Sequence, residues 1–294
     1  MRSLLFVPAD GGKKLQKALG CGADAVIVDL EDSIADDRKE AARANAAGFV
    51  REATSQVARP LICVRVNGLG TGLTDADLDA IVPARPDAIM LPKAEGGAAT
   101  VHADAKLAAR EAINGLPDGH IKIVAMAIES AAGLFLAGTF RRGSARLIGL
   151  SWGAEDLAAE LGAEANRDGD GRYTSPYRLA RTLCLTAAAS AQVLAIETIY
   201  MDYRNPDGLR ADTEDARRDG FAGRLAIHPL QVPIINEVFT PSAGALAKAR
   251  AIVAAFAASP GAGVIGIEGV MYDRPHLLRA RRLIARAQET AEDG

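Results

Sequence analysis

The sequence predicts an α/β fold, a (β/α)8 TIM barrel with a C-terminal helical extension and flap. Three observations predict it. Eight short apolar runs recur along the chain, Ala-rich stretches with helical spacing separate them, and 294 residues suit one barrel of about 250 plus an appendage. The runs cover residues 3–8, 24–30, 61–67, 88–93, 122–130, 146–152, 195–202 and 223–229. Most are rich in Val, Ile and Leu without strict polar alternation, as parallel strands covered on both faces require. Stretches 36–51, 98–114 and 176–192 carry charged outer faces at helical spacing. An open doubly wound sheet is the rival, but no Gly-rich turn joins the first run to the first helix. Gly68-Leu69-Gly70-Thr71-Gly72 has the wrong spacing for that turn and reads as a flexible barrel loop.

Taken in order, the runs end in polar groups, and strand ends are where a barrel carries its chemistry. The second leads into Asp29, Glu31 and Asp32; the third contains Arg65 and Asn67; the fourth ends at Lys93 and Glu95. The fifth ends at Glu129, the sixth leads to Glu155 and Asp156, and the eighth reaches His228. The opposite rim shows no comparable cluster of carboxylates in the sequence. Beyond the barrel come 231–239, a Thr240-Pro241-Ser242 turn, an apolar helix to Ala258, a break at 259–263, residues 264–272, and a basic helix from about Pro275. The expected division is 1–240 for the barrel and 241–294 for the extension and lid.

Composition narrows the function. Thirty-four basic and 37 acidic residues leave a net charge of −3, which gives no electrostatic footprint for nucleic acid. Cys21, Cys63 and Cys184 are too scattered for a zinc knuckle or redox pair and read as free thiols. Pro8, Asp10 and Lys13 follow the N-terminal apolar run too soon for a signal peptide, and no apolar stretch approaches the ~20 residues of a membrane span. A cytoplasmic protein without membrane partners is the expectation.

Glu129 and Asp156 follow adjacent strands, so their carboxylates can converge. Two carboxylates without His or Cys suit a hard cation, Mg2+ first and Mn2+ as an alternative, completed by water and substrate oxygens. The four histidines lie in separate elements, which argues against zinc. Arg65, near the end of a buried strand, calls for an anionic partner: a substrate carboxylate, a developing enolate, or a structural pair with Glu31 or Asp32. Asn166-x-Asp168-x-Asp170-Gly171 imitates an EF loop, but its twelfth position is Tyr177, so it reads as a polar loop. Trp152 either narrows the pocket or packs the rim.

These motifs resemble the citrate lyase β-subunit-like and malyl-CoA lyase-like CoA-ester lyases almost end to end. The likeness is carried by Ser3-x-Leu5-Phe6-Val7-Pro8, Val28-Asp29-Leu30-Glu31-Asp32-Ser33, Lys39 with Ala42-Arg43, and Val64-Arg65-Val66-Asn67-Gly68. Leu91-Pro92-Lys93, Ile128-Glu129-Ser130, Gly153-Ala154-Glu155-Asp156-Leu157, Ile227-His228-Pro229 and Phe239-Thr240-Pro241-Ser242 continue it. The resemblance implies a Mg2+-dependent enzyme that cleaves or forms a C–C bond between an acyl-CoA and a 2-oxo acid. It implies Glu129 and Asp156 as metal ligands and Arg65 on the reacting oxygens. Phe6, Lys17, Glu155, Ile227 and His228 would line the substrate or CoA site, with Glu31 and Asp32 behind Arg65. It further implies Asp273, in the flap Glu268-Gly269-Val270-Met271-Tyr272-Asp273, as a general acid/base acting on a neighbouring subunit of a homotrimer or hexamer. Gly11 stands where many relatives carry an Arg that meets CoA phosphates, and Lys13 or Lys14 could substitute. Three other readings remain open: a citrate lyase β subunit acting on a carrier-bound citryl thioester, a CoA-independent class II aldolase, and a thioesterase. A non-catalytic metabolite-binding barrel is a fourth.

Overall fold

The computed structural model describes residues 1–292; the last two positions of the expected extension, 293 and 294, lie outside the described residues. Its contacts divide the chain into two compact units, Met1–Asn236 and Glu237–Gly294.

The first unit is a closed barrel of eight parallel strands in sequential order: β1 Ser3–Pro8, β2 Ala25–Asp29, β3 Leu61–Arg65, β4 Ala88–Leu91, β5 Lys122–Ile128, β6 Leu147–Trp152, β7 Leu194–Glu197 and β8 Gly223–Ala226. Pairing of β1 with β8 closes it. All five residues of β2 and all four of β4 are buried, which explains their unbroken apolar character: one face packs on helices, the other into the barrel. The interior set takes alternate residues, among them Ala25 and Ile27, Ala88 and Met90, Val124 and Met126, as a two-residue period dictates.

The helices are α1 Gly12–Leu19, α2 Lys39–Thr54, α3 Thr74–Ile81, α4 Gly97–Ile113, α5 Ala131–Leu136, α6 Ala154–Leu161, α7 Ser175–Ala191, α8 Pro206–Asp219 and α9 Gln231–Phe239. The Gly68–Gly72 segment is a 3-10 turn over Leu69–Thr71, ended by Gly72 at φ +74°, where a side chain would be strained. The EF-like segment is a polar loop after α6: Asp168 Oδ1 accepts from the backbone N–H groups of Asp170 and Arg172, so that carboxylate is spent on its own turn. Cys63 and Cys184 are buried free thiols whose burial raises their pKa; Cys21 is half-buried.

The rim at the strand starts corrects one sequence expectation, because it does carry carboxylates. Arg2 pairs with Asp24 at 2.7 Å and Arg59 with Asp87 at 2.5 Å. The buried Arg146 meets Asp104, Glu111 at 2.7 Å and Asp118 at 2.5 Å. Each of these five acids contacts one of three guanidinium groups, Asp104, Glu111 and Asp118 sharing that of Arg146, so this end staples strands together.

The second unit holds α10 Ala243–Ala258, the hairpin β9 Val264–Ile267 with β10 Val270–Asp273, and α11 Arg274–Glu292. Glu268 (φ +50°) and Gly269 (φ +78°) form the two-residue turn, the left-handed pair that a tight hairpin prefers. Its own small core joins Ala249, Ile252 and Phe256 of α10 to Tyr272, Leu277 and Ala280. Among the described residues no helix is long and apolar enough to cross a membrane.

Candidate active site

The rim at the strand ends is built differently. Asp29, last in β2, lies in register beside Arg65, last in β3. In-register neighbours in a parallel sheet face the same side, and the two side chains make a bidentate pair. Arg65 Nε donates to Asp29 Oδ1 and Nη2 to Oδ2, both at 2.7 Å. Arg65 Nη1 lies 2.8 Å from Glu31 Oε2, an ion pair whose angles make no hydrogen bond, so that buried oxygen has no donor. Burial opposes ionisation of Asp29, yet the hydrogen bonds and charge of Arg65 outweigh it and hold the carboxyl below its ordinary value. Asp29 and Glu31 likewise keep the guanidinium charged against its burial. The Phe6 ring lies 4.9 Å from Arg65 Cζ, an apolar and π-rich support. Asp32 is exposed and stands 3.9 Å from Arg65 and 3.7 Å from Lys93.

Glu129 follows β5 and Asp156 lies in the first turn of α6, just after β6; β5 and β6 are paired. A Cβ placed on Gly153 would meet Glu129 Oε1 at 3.0 Å and Asp156 Oδ2 at 3.4 Å, so both oxygens converge within 3.4 Å of one point. Burial and the nearby Asp156 charge push Glu129 up to about 8. Two acids in mutual repulsion, one of them buried, have the character of a divalent-cation site, since a cation removes the conflict. Asp156 is about one-third exposed, which leaves a solvent-side approach. Among the described residues no group of three or more His, Cys, Asp or Glu is arranged around a metal position. A two-carboxylate site fits Mg2+, which keeps several waters and takes substrate oxygens, better than zinc, which needs more protein ligands.

Lys93 is the group that sequence reasoning did not assign. Its backbone is left-handed, φ +49°, a conformation costing an L side chain about 1 kcal/mol. That turn directs its N–H to Glu129 Oε2 at 2.6 Å. Its Nζ donates to Glu31 Oε1 at 2.7 Å and stands 3.7 Å from both Asp32 and Asp156. Partial burial works against the ammonium charge, but Glu31, Asp32 and Asp156 outweigh it and raise the pKa. A terminal lysine on a buried strand was the available signal. Lys39 was also unassigned: its buried Nζ donates to Leu30 O, Glu31 O and Asn67 Oδ1 at 2.8–2.9 Å, fixing the loop that carries Glu31.

The remaining expected residues have other partners or stand exposed. Glu155 is exposed and accepts from Asn166, and Lys17 is exposed on the last turn of α1. Ile227 and His228 follow β8 half-buried; both backbone N–H groups donate to Gln231 Oε1, and the imidazole stacks on Tyr203 at 4.5 Å. Trp152 is fully buried, donates to Glu197 Oε1 at 2.7 Å and meets Tyr173 edge-on, so it packs the rim. Asp273 belongs to the second unit, where His276 Nδ1 stands 2.5 Å from its Oδ1 and holds the carboxyl below its ordinary value.

The family model described as HpcH/HpaI aldolase/citrate lyase matches residues 2–229. A (3S)-malyl-CoA thioesterase of Cereibacter sphaeroides (strain KD131) is 36% identical over 99% of this chain and 95% of its own length. The citrate lyase subunit beta of Escherichia coli (strain K12) is 32% identical over 98% and 93%. The crystal structure of protein CitE from Mycobacterium tuberculosis in complex with magnesium, acetoacetate and coenzyme A superposes with a TM-score of 0.76 at 33% identity, covering 98% of each chain. The chain belongs to the HpcH/HpaI aldolase/citrate lyase family, a family of lyases.

Proposed function

We propose that this protein is a Mg2+-dependent CoA-ester lyase that cleaves, or in reverse condenses, a β-hydroxyacyl-CoA of the malyl, citramalyl or citryl type. The observation that carries the reading is the convergence of Glu129 and Asp156 beside Arg65 on the rim where the strands end. Solved relatives bound to magnesium with acetoacetate and CoA, or with oxaloacetate, support it.

Glu129 and Asp156 would hold the ion, which when bound supplies a Lewis acid for the hydroxyl and carboxylate oxygens of the oxo-acid half. Cleavage loses the hydroxyl proton to solvent as the bond between the hydroxyl-bearing carbon and the carbon next to the thioester breaks, giving a 2-oxo acid and a thioester enolate. Arg65 would offset the enolate charge. Its Nε and one Nη2 N–H are committed to Asp29 and its Nη1 is ion-paired with Glu31, which leaves the second Nη2 donor for a substrate oxygen. Asp273, from the second unit of a neighbouring copy, would deliver a proton to the enolate carbon, or remove one in the condensation direction. That role requires an oligomer, and the family resemblance points to a homotrimer or hexamer.

A thioesterase name among the relatives favours one second reading, in which hydrolysis follows the same binding. Turnover of malyl-CoA, citramalyl-CoA and citryl-CoA, with and without chelator, tests both. The lyase reading expects acyl-CoA plus 2-oxo acid, lost on chelation; free CoA with the intact hydroxy acid would select hydrolysis. Chelator-insensitive turnover, or silence with every ester, would reject the metal lyase.

A further inference from the structure

We propose that Lys93 makes the divalent cation and the 2-oxo acid bind as a pair, by opposing occupancy of the carboxylate site until an anionic ligand arrives. The inference rests on the metal-lyase reading and deepens it. Lys93 has two separable attachments. Its left-handed main chain aims an N–H at Glu129 Oε2 and so orients one ligand of the proposed cation. Its ammonium, anchored on Glu31 at 2.7 Å, stands 3.7 Å from Asp156, the other ligand. A cation bound between Glu129 and Asp156 would share Asp156 with this positive charge at close range, and two carboxylates alone only balance a divalent ion. The ammonium therefore weakens binding of the ion by itself.

A 2-oxo acid changes the balance. Its carboxylate and keto oxygens complete the coordination of the ion and place negative charge near Lys93 and the open donor of Arg65. The repulsion becomes attraction, and each ligand raises the affinity of the other by the same factor, as linkage requires. Lys93 is thus a positioning residue whose main chain serves the metal ligand and whose side chain serves the coupling. The retained left-handed backbone is in keeping with this, because strain that folding alone does not need tends to mark a functional site.

Lys93→Gly separates the two attachments: glycine adopts the left-handed backbone without strain and keeps the N–H, while the ammonium is lost. Lys93→Met removes the ammonium with the side-chain bulk retained, and Lys93→Arg keeps the charge. Calorimetric titration of Mg2+ into each full-length protein, with and without saturating pyruvate, gives the affinities and their ratio. The expected result is at least threefold tighter Mg2+ binding to Lys93→Gly and Lys93→Met without pyruvate, with the pyruvate enhancement reduced at least threefold, and near wild-type behaviour in Lys93→Arg. Smaller changes in both neutral variants, or weaker Mg2+ binding by Lys93→Gly, would overturn the proposal. Wild-type protein that takes up no Mg2+ under either condition would instead overturn the metal reading beneath it.

Discussion

At the scale of the residue, charge pairing separates structure from chemistry. The named acids at the strand starts each contact an arginine, whereas Glu129 and Asp156 lie near enough for one charge to oppose ionisation of the other. Asp29 belongs to the first kind although it lies at the second rim. Asp29→Asn should lower stability by about 3 kcal/mol at pH 7, because it removes the charge partner that accepts both hydrogen bonds of a buried guanidinium and leaves only the Glu31 ion pair close to it; a urea unfolding series checks the loss. The pH dependence has a definite sign. The carboxyl is held below its ordinary value in the folded state, so its stabilisation is present above the unfolded pKa of about 3.9 and disappears as pH falls through the folded value. The gap between wild type and Asp29→Asn should therefore close in acid, and a constant gap from pH 7 to pH 3 would contradict the assignment. Arg65 needed an anion, as its sequence position implied. That the principal one is Asp29, with Glu31 and Asp32 behind it, depends on the register of β2 and β3, which local sequence does not encode.

At the scale of the element, Asp29 and Arg65 are placed by the last residue of a strand and Lys93, Glu129 and Asp156 by the first residues after one. Gly153 sits between β6 and α6 with Glu129 against it; a Cβ there would come within 2.8 Å of Glu129 Cγ. Gly153→Ala should displace that carboxylate and weaken Mg2+ binding about tenfold or more while the fold survives, since Gly153 has an ordinary φ of −118°. Calorimetry together with a thermal melt would check both halves. Lys39, in the first turn of α2, ties the Glu31 loop to Asn67; Lys39→Met would leave Asn67 Oδ1 without a donor, whereas Leu30 O keeps the Asn67 amide and Glu31 O keeps the Ile34 N–H. A loss of about 1–3 kcal/mol by chemical denaturation is expected. Element existence was legible in the sequence: seven strands fall within the apolar runs and β7 starts one residue before its run, because a strand covered on both faces is largely apolar. The left-handed turn at Lys93 was not legible, since nothing in Leu91-Pro92-Lys93 requires a positive φ there; the contact to Glu129 does. The opposite rim misled the sequence reading because its acids precede the strands at irregular distances, and Asp104 and Glu111 come from α4.

At the scale of the whole molecule, a barrel holds the proposed metal and enolate groups and a separate unit holds Asp273. Asp273 is the last residue of β10, just before α11, with an imidazole beside it, at the end of a hairpin that the sequence showed only as a Gly-containing flap motif. If Asp273 acts on a neighbouring copy, co-assembled Asp273→Asn and Glu129→Gln chains, each inactive alone, should regain part of the wild-type lyase rate. Sites that combine a sound barrel with a sound Asp273 form only in the mixture. A mixture no more active than either variant would assign the residue to its own chain or remove its role. The account as a whole depends on one divalent ion per chain held by Glu129 and Asp156. Its most direct measurement is an electron paramagnetic resonance titration with Mn2+ in the presence of pyruvate. Wild-type protein should bind one ion per chain, and Glu129→Gln and Asp156→Asn should each abolish that site with the fold intact; undiminished Mn2+ binding by both variants would contradict it.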